Sequence, residues 1–171
     1  EFKKAQELLD RLEPQGAVIE EKTETKPPQA VVKDKKEAPL TSETENDIGK
    51  ALAFTKNKES EKAISYYLKA IDAIPDNAGL HYNLAIEYLR TRQFHQATDE
   101  LHKVIQLNSK DKDAYYNLGI LYEIYLGDLE RAKFCYNRYI EFAAGADDTN
   151  NVKLWIMEID KKIKLEKERG F

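Results

Sequence analysis

The chain has 171 residues, 42% of them apolar and 34% charged, with a formal charge of −4 in which acids and bases are mixed along the length. That gives room for one ordinary domain with a heavily solvated exterior plus a tail, and it excludes the basic excess or basic stripe on which nucleic-acid binding draws. A single cysteine, Cys135, leaves no internal disulfide framework, and no run approaches the roughly 18 apolar residues of a membrane span.

In chain order, residues 1–14 are predicted to form an amphipathic helix. Phe2, Ala5, Leu8, Leu9 and Leu12 fall on one stripe, and Pro14 and Gly16 stop it. The opening at Glu1-Phe2 reads as mid-helix, as in a fragment or processed form that has lost an upstream signal or anchor. The compartment therefore stays undetermined between cytoplasm and a periplasmic or membrane-associated setting. Residues 15–43 are rich in Glu, Lys, Thr and Pro, with Pro27, Pro28 and Pro39 opposing helix. They read as a flexible linker. From 44 to 171 the text becomes periodic, and Thr41-Ser42-Glu43-Thr44 supplies N-cap chemistry at its start.

Six amphipathic helices are predicted there in pairs: 44–57 with 60–74, 78–91 with 94–107, and 112–126 with 129–142. Turn residues such as Pro75-Asp76-Asn77 and Asn108-Ser109-Lys110-Asp111 punctuate them. A last helix over 149–167 carries Val152, Trp155, Ile156, Ile159 and Ile163 at helical spacing. Its other face reads as charged through Lys153, Glu158, Lys161, Lys162 and Glu166. Such a helix is expected to keep the end of an open stack soluble.

The pairs repeat. Phe54, Tyr88 and Tyr122 stand 34 residues apart, as do Ala51, Ala85 and Gly119. Ala63 and Ala97 keep the same step, and Ala132 follows one residue late at 35. A period in this range marks stacked supersecondary units, none of which can bury its apolar face alone. Here the sequence resembles the tetratricopeptide repeat family. The third unit gives the pattern most clearly, as Tyr115, Leu118-Gly119, Tyr122, Ala132 and Tyr136. The second gives His81, Leu84-Ala85, Tyr88, Ala97 and Leu101. The first gives Ala51, Phe54, Ala63, Tyr67, Ala70 and Pro75, with Lys50 where leucine is usual, so the array is expected to start there. The small residues let paired helices approach closely, and the extra residue is expected in the Tyr125-Leu126-Gly127-Asp128 turn.

The resemblance implies an all-α, right-handed α-solenoid of three helix pairs with a C-terminal capping helix, preceded by the tethered helix. It also implies that the first helix of each pair lines a concave groove. In that register the inward residues are Ile48, Leu52 and Thr55, then Tyr82, Asn83, Ile86 and Leu89, then Tyr116, Asn117, Ile120 and Ile124. Most are large and apolar, which marks an interaction site. The expected partner is a protein or peptide, best an amphipathic helix with anchors at i, i+3/i+4 and i+7. Buried anchors at roughly 1.5–3 kcal/mol each, set against the cost of association, give affinities on the order of micromolar.

The alternative is self-association. The stripe Phe2, Leu8, Leu9 and Leu12 then occupies the molecule's own groove or a neighbour's, making a homo-oligomer in the second case. A third reading is a regulatory piece of a larger enzyme or membrane protein. Some family members hold chaperone tails with a basic clamp, but the corresponding positions here are Ile48, Leu52, Asn83, Asp113 and Asn117, of which Asn83 alone fits. The linker also resembles those of bacterial envelope and secretion-accessory proteins.

No enzyme, cofactor or metal site is expected. His81 falls at a core aromatic position, and His95 and His102 are two turns apart, roughly 10 Å by helical rise. Cys135 reads as an inert small residue, and no phosphate loop, zinc spacing or Ser/His/Asp set is present.

Overall fold

The computed structural model describes residues 41–143 and 149–170. Among these, seven α-helices follow one another with no strand: α1 (Ser42–Lys56), α2 (Ser60–Ala73), α3 (Ala78–Arg90), α4 (Phe94–Leu107), α5 (Lys112–Ile120), α6 (Leu129–Phe142) and α7 (Thr149–Glu168). α1 packs on α2, α3 on α4 and α5 on α6; the pairs join through α2–α3 and α4–α5, and α7 closes on α6. The expected helix at 1–14, with Phe2, Leu8, Leu9 and Leu12, lies outside the described residues, as does the linker up to residue 40. Ser42 and Glu43 already belong to α1, because Thr41 is its cap.

Side chains start four of the helices. Thr41 Oγ1 accepts from the Thr44 N–H (3.2 Å), Asn77 Oδ1 from Leu80 (3.0 Å), Asp111 Oδ1 from Ala114 (2.9 Å) and Asp128 Oδ1 from Arg131 (2.9 Å). Each satisfies a backbone donor that the first turn leaves without an intrahelical acceptor.

The corners between paired helices repeat as closely as the helices do. Lys58 (φ 59°) and Arg92 (φ 60°) hold the left-handed conformation. The next residues donate back to the last turn, Glu59 N–H to Phe54 O and Gln93 N–H to Tyr88 O. A side chain at such a φ costs on the order of 1 kcal/mol. The third corner supplies Gly127 (φ 69°) instead.

The late Ala132 has its cause one turn upstream of the expected turn. Leu121–Tyr125 is a π-helical turn, so the surplus residue is taken up inside the helix continuing α5. Asp128 N–H accordingly reaches Tyr122 O, six residues back, where the first two corners span five. Single widened turns of this kind absorb an insertion without breaking the helix. This one carries Tyr125 onto Phe94 at the start of α4, with stacked rings 4.0 Å apart.

Ala51, Ala85, Ala63, Ala97 and Ala132 are all fully buried, at the contacts where paired helices approach. At Gly119 the approach is close. A β-carbon there would stand 2.5 Å from Tyr136 Cε1. The two ends of the stack differ. At the first, Lys50 is exposed, and its ammonium lies 5.3 Å from the Tyr66 ring centre. Lys69 lies 4.8 Å from the same ring and Lys62 5.3 Å from that of Phe54, so cations tile a stacked aromatic pair. At the other end α7 buries Val152 and Ile159 completely, but leaves Leu154, Met157 and Leu165 more than half exposed. The outer face expected to be charged thus also carries apolar residues.

Candidate functional site

The residues expected on the inner face divide into two groups. Ile48, Leu52 and Thr55 on α1, Tyr82, Asn83 and Ile86 on α3, and Ile124 on the π turn are half-buried, each keeping part of its surface in solvent. Leu89, Tyr116, Asn117 and Ile120 are buried, Tyr116 at 1% exposure and Ile120 at 0%. The inner face that the register drew across all three pairs is therefore narrower on the third.

The reason is α7. Its Trp155 ring lies 6.0 Å from Tyr116 and 5.7 Å from Tyr136, and Tyr116 also meets Tyr139 edge-on at 5.1 Å. Ile120 falls in the same core cluster as Val152 and Ile159. A helix packed beside α5 must bury the side chains that would otherwise form an open wall. Asn117 is engaged as well: its Nδ2 donates to the Tyr82 hydroxyl at 3.1 Å, tying α5 to α3.

Two buried polar groups escaped the sequence reading. Glu87 on α3 is fully buried and accepts from Arg90 Nη1 at 2.8 Å. Nearby, the Tyr67 hydroxyl is bonded to Thr55 Oγ1 at 3.2 Å, and burial pushes its pKa up. Glu87 and Arg90 look like an ordinary surface pair at i, i+3, but the 34-residue step aligns Glu87 with Ala53 and Leu121, the second of them buried. The other is Glu123, which accepts from the Tyr136 hydroxyl at 3.0 Å and faces Lys162 Nζ at 3.6 Å. It joins α6 and α7 to the π turn. Burial first, and the Glu123 carboxylate second, hold the Tyr136 hydroxyl well above its usual pKa.

A shallow cleft of about 420 Å³ lies on another side, lined by His102, Ile105, Tyr115, Tyr122, Arg131, Phe134 and Cys135. Burial pushes the Cys135 thiol up to about 12, so it is protonated and weakly nucleophilic at neutral pH. His102 Nε2 shares a hydrogen bond of 2.7 Å with the Tyr122 hydroxyl, whose own pKa is raised by burial, so the hydroxyl keeps its proton at neutral pH. His81 is buried with its two ring nitrogens on Glu100 Oε2 (2.6 Å) and Pro75 O (2.9 Å), a packed core histidine. Among the described residues no group of three or more His, Cys, Asp or Glu converges as a metal site would require. Nor is any described helix long and apolar enough to cross a membrane.

Burial lowers the His102 pKa. The unfolded chain then binds more protons below the unperturbed value of about 6.5, so this contribution is complete above that pH and is lost as pH falls toward the folded pKa. Urea midpoints at about pH 7.5 and about pH 5.5 are expected to separate more for the native chain than for His102→Gln. Equal separations would remove His102 from the pH response.

Helix pairs stacked side by side, with half-exposed apolar residues on their first helices, define a repeat scaffold of the kind that presents a surface to other proteins. Residues 48–77 and 112–145 match the family model of the tetratricopeptide repeat. Those two spans are tetratricopeptide repeats, and the described helices form the right-handed solenoid of tetratricopeptide repeat domains. The middle pair, with His81 and Leu101 at aromatic positions, lies outside the matched spans. Tetratricopeptide repeat protein 28 of Mus musculus is 31% identical over 103 residues, or 60% of this chain. The matched stretch is 4% of that relative's length. Among solved structures, the first repeat domain of Spaghetti (RPAP3), bound to the HSP90 peptide SRMEEVD, is 26% identical with a TM-score of 0.61. That match covers 71% of this chain and 93% of the other. The Sgt2 repeat domain of Aspergillus fumigatus is 27% identical with a TM-score of 0.60, covering 76% and 84%. These relatives lend the bacterial-envelope resemblance of the linker no support.

Proposed function

We propose that this domain is a protein-interaction module that holds an apolar or amphipathic helical segment of a partner against the first helices of its first two pairs. The observation that carries the reading is the run Ile48, Leu52, Tyr82 and Ile86, all half-exposed and supplied by α1 and α3, which α7 leaves uncovered. Neighbouring structures of the same fold, such as the RPAP3 domain, are solved with a peptide bound, which supports a peptide as the class of ligand. The chemistry differs from that of an acidic tail. Ile48, Leu52 and Asp113 offer a carboxylate no counter-charge, and Asn117 is buried and spent on Tyr82.

The test is fluorescence anisotropy with a labelled amphipathic helical peptide carrying leucines at i, i+3/i+4 and i+7. The native chain is expected to bind with a Kd on the order of micromolar. Leu52→Glu/Ile86→Glu should weaken binding by about tenfold or more, because each charge is desolvated against an apolar anchor. The acidic peptide SRMEEVD is expected to bind more weakly than the amphipathic one. The reading fails if the double variant binds the amphipathic peptide as the native chain does, or if the acidic peptide wins. Ile120 is unsuited to this test, since a charge at a fully buried position would unfold the third pair. The sequence-based alternative, a self-associating module, predicts a mass that rises with concentration in light scattering.

A further inference from the structure

α7 buries Val152 and Ile159 completely against the third pair, while Leu154 and Leu165 stand 57% and 51% exposed on its far side. The first end of the array shows the contrast, since lysines there cover the aromatic edge. The exposed face has a regular order. Asn151, Leu154, Glu158, Lys161, Leu165 and Glu168 are all exposed and recur at alternating steps of three and four residues. That is the spacing of a seam between two packed helices.

The seam is complementary to itself. Leu154 and Leu165 lie equally far from the midpoint between Ile159 and Asp160, and so do Glu158 and Lys161. A second α7 laid antiparallel about that midpoint sets each Leu154 on a Leu165 and each Glu158 opposite a Lys161. Asn151 meets Glu168 at the two ends of the seam. Parallel pairing would instead oppose Lys161 to Lys161 and Glu158 to Glu158. A head-to-tail stack would turn Lys161 toward Lys50 and Lys69 at the first end. The other charges of α7 do not disturb the match. Asp160 and Lys167 pair with Lys133 and Glu130 of α6, and Lys162 faces Glu123. Lys164 pairs with Glu168 of its own helix. Lys153 and Glu166 fall about 110° to either side of the seam, and Arg169 stands past its end, on the side of Asn150 of the other copy.

We propose that α7 is a dimerisation helix, whose outer face takes the α7 of a second copy of this chain, antiparallel about a two-fold axis. A closed pair of this symmetry uses the same patch on both subunits, which a self-complementary order supplies. Opposite charges within an otherwise apolar seam also fix its register. One helix from each copy buries an area at the low end of specific interfaces, below about 1,200 Å² in total. The dimer is therefore weak, with a Kd on the order of tens of micromolar. It leaves the inner faces of α1 and α3 to the partner proposed above, so the two readings stand or fall separately.

Sedimentation velocity on the full chain, from well below to well above that Kd, is expected to show the mass rising from one copy to two. Lys161→Glu sets carboxylate against carboxylate and should weaken association by about tenfold or more. Glu158→Lys/Lys161→Glu should restore it, as should mixing the two single variants. Both positions are exposed, so neither change threatens the fold. Cysteines read the register, because the native thiol of Cys135 is buried. Leu154→Cys mixed with Leu165→Cys is expected to form covalent dimers in a glutathione buffer. Either variant alone should link far more slowly, since like positions sit about 16 Å apart along the antiparallel pair. A native chain that stays monomeric, a Lys161→Glu chain that dimerises as the native does, or a charge swap that recovers nothing would each overturn the proposal. So would single cysteine variants that link as fast as the mixture, or a mass rise that Leu8→Ser/Leu9→Ser abolishes. Lys161→Glu is expected to bind the amphipathic peptide as the native chain does, which keeps a failure here distinct from a failure of the peptide groove.

Discussion

Trp155→Ala is expected to lower the stability of the array by about 3 kcal/mol, at the low end for loss of a large aromatic because the ring is half-buried. The indole packs on Tyr116 and Tyr136 at once, so its loss leaves a cavity beside both rings. Urea denaturation followed by circular dichroism measures the loss. A second readout tells loosening of α7 from a general weakening. With α7 detached, Tyr116 and Ile120 become accessible, and the binding of a hydrophobic dye at low urea should rise. A change below about 1 kcal/mol, within what ordinary surface substitutions produce, would show that α7 does not hold the third pair together.

Gly119→Ala is the second large effect. The new methyl would lie 2.5 Å from Tyr136 Cε1 and 2.6 Å from Cδ1. The Tyr136 ring cannot swing aside cheaply, since its hydroxyl is bound to buried Glu123 and its ring lies 5.7 Å from that of Trp155. Either α5 and α6 separate or that hydrogen bond breaks, and overpacking of this kind costs about 1–3 kcal/mol. The same substitution at Gly49, which has open space around it in α1, is expected to stabilise by about 0.5–1 kcal/mol through helix propensity. Thermal midpoints of the two variants should therefore move in opposite directions. If both rise, the contact at Gly119 is softer than the geometry implies.

Much of the fold was legible because the 34-residue step repeats a small set of packing demands. Small residues at Ala51, Ala85 and Gly119, and aromatics at Phe54, Tyr88 and Tyr122, specify where helices touch whatever the partner. The inner face was less legible. Periodicity tells which side of a helix a residue occupies, but not whether a further helix covers that side, and α7 covers Tyr116 and Ile120. Glu87 and Glu123 were illegible for a related reason. A carboxylate on an amphipathic helix reads as solvated, and only neighbours distant in sequence, Tyr136 and Lys162 for Glu123, reveal it as buried. The place of the extra residue was misjudged by one turn, because a glycine-containing corner is the obvious place for slack, and a helix widened at Leu121–Tyr125 leaves no compositional mark.

That widened turn bears on how tandem helical arrays change length over time. An added residue that swells a coil within a rod, instead of lengthening a joint, leaves the phase of every later rod undisturbed. Arrays can then gain single residues without losing their tiling, and an odd spacing between two otherwise matching units need not count against their kinship.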